Sequence, residues 1–428
     1  MANILVKSMD KFVIQGNKSL TGEIKVAGAK NAALKLLAGS LLTNQECNFT
    51  NMPRIEEIDF MLELMRLVGA EADWSGDNSI RSQCQKITSS QLDEKMVRKF
   101  RSSIMVLSPL LLRTGRVDFY YPGGCIIGKR PIDMYLEGFT ALGVKVKQDG
   151  DYFSLTADNL TGGEFVFHWI SHTVTESLIM LATMISGRTK LVNTAQEPEV
   201  VQLCSFLREM GAKISGDGTA EIIIEGVQNL NSADCQVIPD RLETGTFAIL
   251  GALLGAPINI THCQPSHLAV FWKVLSEMGI ESKIGQNEIE MGKARDIKPT
   301  EIRTHEYPGL VTDLQPPLTL LATQAKGLSL IHETIYEGRL FYTDMLNRMG
   351  ANIIMCDPHR VVVNGPRQLF GAQLESPDIR AGITLVLAAL MASGKSTIEH
   401  VSQIDRGYEN IEKRLQNLGA QIERINQT

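Results

Sequence analysis

The residues best placed to do chemistry cluster between Tyr120 and Asp133, where one thiol, two cations and three glycines occupy fourteen positions. Pro122, Gly123 and Gly124 break regular structure and free the backbone to bend. Cys125 follows on that loop, with Lys129 and Arg130 near enough in sequence to favour its thiolate. Two readings fit this local pattern: a chemically active cysteine, or a glycine hinge carrying an incidental one.

Five further positions pair a charge with an element start. Lys30 and Asn31 follow Gly28 at the head of an apolar helix, whose N-terminus attracts anions. The plainer reading is a helix start with a snorkelling lysine. Arg98, Lys99 and Arg101 open what reads as a helix over 102–112, as a site or as a solvated face. Asp313 precedes two prolines and a buried helix, so it is a cap or a general base. Asp378 and Arg380 stand before another buried helix with the same choice, and Asp405, Arg406, Tyr408 and Glu409 open the last helix.

Two patterns are set aside. Ser393-Gly394-Lys395-Ser396 resembles the end of a phosphate-binding loop, but position 389 is Ala389 and the stretch follows a helix instead of a strand. His168, His172 and Glu176 are spaced four apart, as a metal-binding helix face requires. The β-branched run from Ile170 to Thr175 reads instead as loop or strand, and no metal is expected.

Composition narrows the class. The chain has 428 residues, 44% hydrophobic and 21% charged, an ordinary globular balance with room for two domains. A net charge of −6 supplies no basic field, so no nucleic-acid partner is expected. The longest apolar runs, 247–258 and 383–392, are too short to span a bilayer, no leader stands at residues 1–10, and no membrane partner is expected. Seven scattered cysteines, never spaced Cys-x-x-Cys, point to a reducing, cytoplasmic setting without a disulfide frame.

The elements that must position these residues repeat. A helical run ends in a large apolar residue, then Gly and a small apolar residue, then a strand-like run. The glycines are Gly69, Gly143, Gly211, Gly279, Gly350 and Gly419, separated by 74, 68, 68, 71 and 69 residues. Each glycine supplies a left-handed helix end, and a nearly apolar, hence buried, helix precedes the phrase, as in 33–42, 246–254 and 383–392. Six units of about 70 residues, each with two helices and several strands, are too large for one core of about 250–300 residues. Two groups of three follow, dividing near Asp240.

Gly28 to Ala33, the loop 122–133, Thr312 to Gln315, Asp378 to Ala381 and Asp405 to Glu409, in that order, resemble the enolpyruvyl transferases over essentially the whole chain. The likeness is to the branch that serves bacterial peptidoglycan synthesis. It implies an α/β fold, a two-lobed inside-out α/β barrel of six βαβαββ-type units, three per lobe. The lobes would be 30–239, carrying the Cys125 loop, and 1–29 with 240–428. The implied reaction adds the 3′-hydroxyl of UDP-N-acetylglucosamine to C2 of phosphoenolpyruvate, then eliminates phosphate to leave an enol ether.

By the same resemblance Cys125 is the loop acid, Asp313 the base at the sugar hydroxyl, and Lys30 and Asp378 join the catalytic set. Lys30, Asn31, Arg130, Arg380 and Arg406 would hold phosphoenolpyruvate, and Asn31 and Asp313 also touch the sugar. Arg130, Pro131, Ile132, Asp133 and Met134 would form the uridine turn. Arg101, Ser171 and Ile335 would be further nucleotide contacts. No cofactor and no metal are implied, because arginine forks can neutralise the phosphate. The family's Ser-Val-Gly turn is departed from at Ser171-His172-Thr173, with Trp169 nearby, and Gly338 also departs. These changes keep two alternatives in view: a shikimate-type transferase and a non-catalytic sugar-nucleotide-binding paralogue.

Overall fold

The computed structural model describes residues 10–123 and 131–426. The described chain divides into two compact units, one of residues 28–123 and 131–238, the other of 10–27 and 239–426. Each has its own apolar core.

Six sheets occur among the described residues, three in each unit. Five share one plan, a parallel pair followed by two antiparallel pairs. In one of them Glu301–Arg303 runs parallel to Gly327–His332, which pairs antiparallel with Arg360–Gly365, and that strand with Ile353–Asp357. The sixth sheet, Arg116–Tyr120, Tyr152–Thr156 and Lys145–Asp149, replaces the parallel strand by a single bridge from Gln91 to Asp118. Burial along the strands alternates, as in Glu221–Glu225, so one sheet face packs inward and the other meets water.

In each unit the most apolar helices form the centre. Arg241–Leu254, Gln315–Ala322 and Ile379–Met391 are buried almost throughout and pack on one another at the centre of their unit. In the other unit, Lys30–Ser40 and His172–Ala182 both pack on the 3-10 turn Arg101–Val106, which runs on into helix Leu107–Thr114. A helix apolar on all sides can be placed only where other elements surround it.

All six repeat glycines have positive φ, between 78° and 106°. At each, the amide one residue later donates to the carbonyl five residues before it, as Ala70 does to Met65 and Ala420 to Leu415. This is the Schellman helix end, which only glycine adopts without strain.

The N-terminal segment completes two sheets of the unit formed by 239–426. Strand Lys11–Gln15 inserts between Lys395–Glu399 and Gln421–Ile425. Strand Leu20–Lys25 runs parallel to Gly255–Thr261. Likewise Cys235–Gln236 returns to pair with Cys47–Thr50.

Two local expectations are corrected. The stretch read as loop or strand at 170–175 is helical from His172, because Ser171 caps the helix and its following residues are buried. Cap and burial outweigh the β-branched propensity. The helix expected over 102–112 is a 3-10 turn, Arg101–Val106, followed by α-helix Leu107–Thr114; Pro109 sits in the first turn of the latter, where it is tolerated.

Candidate active site

In the unit 28–238, Lys30 is the first residue of helix Lys30–Ser40, and Ala29 before it makes no side-chain cap. An uncapped buried helix start offers its first amides to an anion. Lys30 Nζ donates to Glu57 Oε2 at 3.2 Å, which places the ammonium at that helix start. Asn31 follows, half-buried.

Cys125 and Arg130 lie outside the described residues, so the thiol and its cation are placed here by sequence alone. Both flanks of that segment are described. Gly123 donates its amide to Val97 O at 3.1 Å, and a Cβ on it would lie 1.9 Å from Arg98 O, so no other residue fits. Arg101 joins the two flanks: its Nη2 donates to Pro131 O at 3.2 Å and its guanidinium lies 5.7 Å from the Tyr121 ring centre. Pro131 and Asp133 are exposed, whereas the Ile132 and Met134 side chains are buried in the core. Any ligand contact at those two positions therefore falls to the main chain.

Ser171 caps helix His172–Ala182, its Oγ accepting from the Val174 amide at 3.4 Å. Thr173 sits in the first turn of that helix, so its backbone demands no glycine. His172 Nδ1 lies 3.5 Å from Glu176 Oε2, one turn on, and His168 Nε2 lies 3.4 Å from Glu137. The three residues spaced four apart thus split between two partners. The cluster with metal-ligand spacing among the described residues is a different one, the exposed Glu375, Glu399 and His400, and it contains none of the expected site residues.

In the unit 10–27 and 239–426, a carboxylate is held by two buried guanidiniums. Asp313 Oδ1 accepts from Arg339 Nη2 at 2.6 Å and its Oδ2 from Arg380 Nε at 3.1 Å. Asp313 lies in the 3-10 turn Thr312–Leu314 and does not cap helix Gln315–Ala322, which removes the capping alternative. Asp378 is a cap: its Oδ1 accepts from the amides of Arg380 and Ala381 at 2.8 and 3.0 Å. It also lies 3.9 Å from Arg339.

Arg380 donates through Nη1 to the Tyr408 hydroxyl at 3.2 Å. Burial by itself pulls both guanidiniums down. Tyr408 and Asp313 outweigh it at Arg380, and Asp313 and Asp378 at Arg339, so each is held above its ordinary value. The Tyr408 hydroxyl, bonded to Thr246, is pushed up to about 12 by burial.

Arg406 Nη1 donates to Gln403 at 3.1 Å. The Ile335 amide donates to Glu333 Oε1 at 2.8 Å, while Glu333 Oε2 accepts from Thr312 Oγ1 at 2.9 Å. The buried Glu333 thus ties the Ile335 loop to the turn carrying Asp313.

Sequence reasoning left out Arg339, Glu333 and Glu57. Arg339 directly follows Gly338, the position noted above as a departure from the family pattern. Charged residues that fold to near-complete burial carry a signal only when their partners are known. No helix among the described residues is long and apolar enough to cross a membrane.

The family model for EPSP synthase (3-phosphoshikimate 1-carboxyvinyltransferase) matches residues 14–415. A UDP-N-acetylglucosamine 1-carboxyvinyltransferase of Desulfosudis oleivorans is 41% identical over 417 residues, covering 97% of this chain and 100% of that one. One of Helicobacter pylori is 39% identical, covering 97% and 99%. Among solved structures, the enolpyruvyl transferase NikO from Streptomyces tendae superposes with a TM-score of 0.89 at 24% identity, over 98% of this chain and 100% of that one. EPSP synthase from Acinetobacter baumannii follows at 0.77 and 18%, over the same shares; these two establish the fold alone. The chain belongs to the carboxyvinyltransferase family of EPSP synthase and UDP-N-acetylglucosamine 1-carboxyvinyltransferase.

Proposed function

We propose that this protein transfers the enolpyruvyl group of phosphoenolpyruvate to the 3′-hydroxyl of UDP-N-acetylglucosamine, releasing phosphate, as a step of peptidoglycan synthesis in the cytoplasm. One observation carries the reading: identity near 40% along almost the whole chain to proteins named for that activity. The reaction adds the sugar oxygen to C2 and a proton to C3 of phosphoenolpyruvate. The C2–O bond to phosphate then breaks as C3 gives up a proton, which leaves the enol ether.

Residue roles follow the chemistry each group can do. Asp313, oriented by Arg339 and Arg380, takes the hydroxyl proton. Cys125 delivers the proton to C3. Lys30, Arg130, Arg380 and Arg406 offset the phosphate and carboxylate charges, and Asn31 touches the adduct. Asp378 fixes the start of the helix that carries Arg380. The main chain at 130–134, with Arg101 and Ser171, receives the nucleotide. The Ile335 amide is already given to Glu333, so its carbonyl is the group left to a ligand.

The test is release of inorganic phosphate from phosphoenolpyruvate by purified protein. It is expected with UDP-N-acetylglucosamine and not with shikimate 3-phosphate; the reverse result would overturn the reading. Binding of the sugar nucleotide without turnover would identify a non-catalytic paralogue instead. Fosfomycin is expected to add one equivalent to Cys125 by mass spectrometry. Among the described cysteines, burial raises Cys47, Cys84, Cys204, Cys235 and Cys263, which keeps those thiols protonated and unreactive. Cys356 is exposed, and a fosfomycin adduct found there instead would count against the loop assignment.

A further inference from the structure

The core of the unit 28–238 contains a charge pair that the proposed reaction does not use. Lys35 and Glu176 are 1% and 0% exposed, and Lys35 Nζ lies 3.2 Å from Glu176 Oε2. The same oxygen is 3.5 Å from His172 Nδ1, whose side chain is 33% exposed. Both contacts are ion-pair proximities: neither Glu176 oxygen accepts a hydrogen bond among the described residues. Such a pair is poorly solvated, and replacing it by apolar residues is commonly neutral or stabilising. Its neighbours on the first helix are Ala32, Ala33, Leu34, Leu36 and Leu37, so an apolar pair would suit the surroundings. Stability therefore does not account for it.

Its connections do. Lys35 lies on helix Lys30–Ser40, just over one turn beyond Lys30 and Asn31. Glu176 lies one turn beyond His172 on helix His172–Ala182, which Ser171 caps. The pair links the opening turns of two helices that both begin at expected substrate contacts. His172 is its only member open to water. A buried carboxylate 3.5 Å from Nδ1 attracts the ring proton to that nitrogen by charge alone, which favours the Nδ1–H tautomer and turns that edge of the ring inward.

We propose that Lys35 and Glu176 are positioning residues: Glu176, held by Lys35, fixes the His172 ring and with it the helix turn at Ser171 that receives the sugar nucleotide. The proposal rests on the reading of Ser171 as a nucleotide contact. Neither residue touches the reacting atoms.

The deciding variant is the full chain with Lys35→Met and Glu176→Leu together, which removes the pair without stranding a charge. It is expected to fold with an unfolding midpoint no lower than that of the parent. Its KM for UDP-N-acetylglucosamine should rise about tenfold, the equivalent of one net hydrogen bond, with kcat and the KM for phosphoenolpyruvate within about twofold. Lys35→Arg, which keeps the charge, should leave that KM near the parent value. An unchanged sugar-nucleotide KM in the double variant would overturn the proposal.

A second readout needs no turnover. Two-bond proton–nitrogen spectra of histidine-labelled protein should show His172 as the Nδ1–H tautomer in the parent and as Nε2–H in the double variant. The same tautomer in both would overturn the proposal even if the enzyme is active. A switch of tautomer in a protein that does not use UDP-N-acetylglucosamine would support the pair's hold on His172 and overturn the assigned reaction instead.

Discussion

Asp313 shows how a single residue acquires its role from partners far away in sequence. In the chain it is an acid before two prolines, suited to capping. Folding places Arg339 and Arg380 on its two oxygens and leaves the cap position to Leu314. Arg339→Met should therefore leave Asp313 held on one side only and lower kcat by about a hundredfold, as expected when a reacting group is misplaced by about 1 Å. Arg339→Lys should not restore it, because an ammonium lacks the fork geometry. Steady-state kinetics with circular dichroism as a folding control decide the matter. At Glu412, burial raises the carboxyl but Arg424 more than offsets it, and the folded value lies below the ordinary 4.5. A depressed value means stabilisation that is fully present above the unfolded value and lost as pH falls through the folded one. Glu412→Gln should cost about 1–3 kcal/mol at neutral pH. That difference should shrink in urea titrations below about pH 4.5.

At the scale of the element, the repeat is a physical device read directly from spacing. The glycine ends recur about every 70 residues because each helix must stop and reverse into a strand. Gly419 tests the conformational term alone, since a Cβ there meets nothing within 4 Å while φ is +97°. Gly419→Ala should destabilise by about 1–2 kcal/mol, and Gly419→Asn by less, because asparagine tolerates the left-handed region. Equal stability of alanine variant and parent in denaturant titration would refute the strain argument. The element that escaped the sequence is helix His172–Ala182. Its opening residues favour strand locally, and only the Ser171 cap and the burial from Val174 onward make it helical.

At the scale of the whole molecule, the first two described strands, Lys11–Gln15 and Leu20–Lys25, belong to the unit formed mostly by the second half of the chain. Strand Lys11–Gln15 is interior to its sheet, paired on both sides, with Phe12 and Ile14 fully buried. Deleting residues 1–16 should expose two strand edges and that core, and the truncated chain is expected to be insoluble or to unfold without cooperativity by calorimetry. Retention of a cooperative transition near the parent's would show the strand to be dispensable. The sequence by itself determined the six units, their helix ends, their α/β character and the family, because these depend on local periodicity, on glycine's conformational freedom and on short ordered motifs. Tertiary structure alone decided which charges meet. Arg339 on Asp313, Glu333 on Thr312 and Ile335, and Lys35 on Glu176 join residues 21 to 141 positions apart or bind amides beside them. Such pairings arise because a buried charge must find its partner wherever the fold brings one, and no local pattern records that distance.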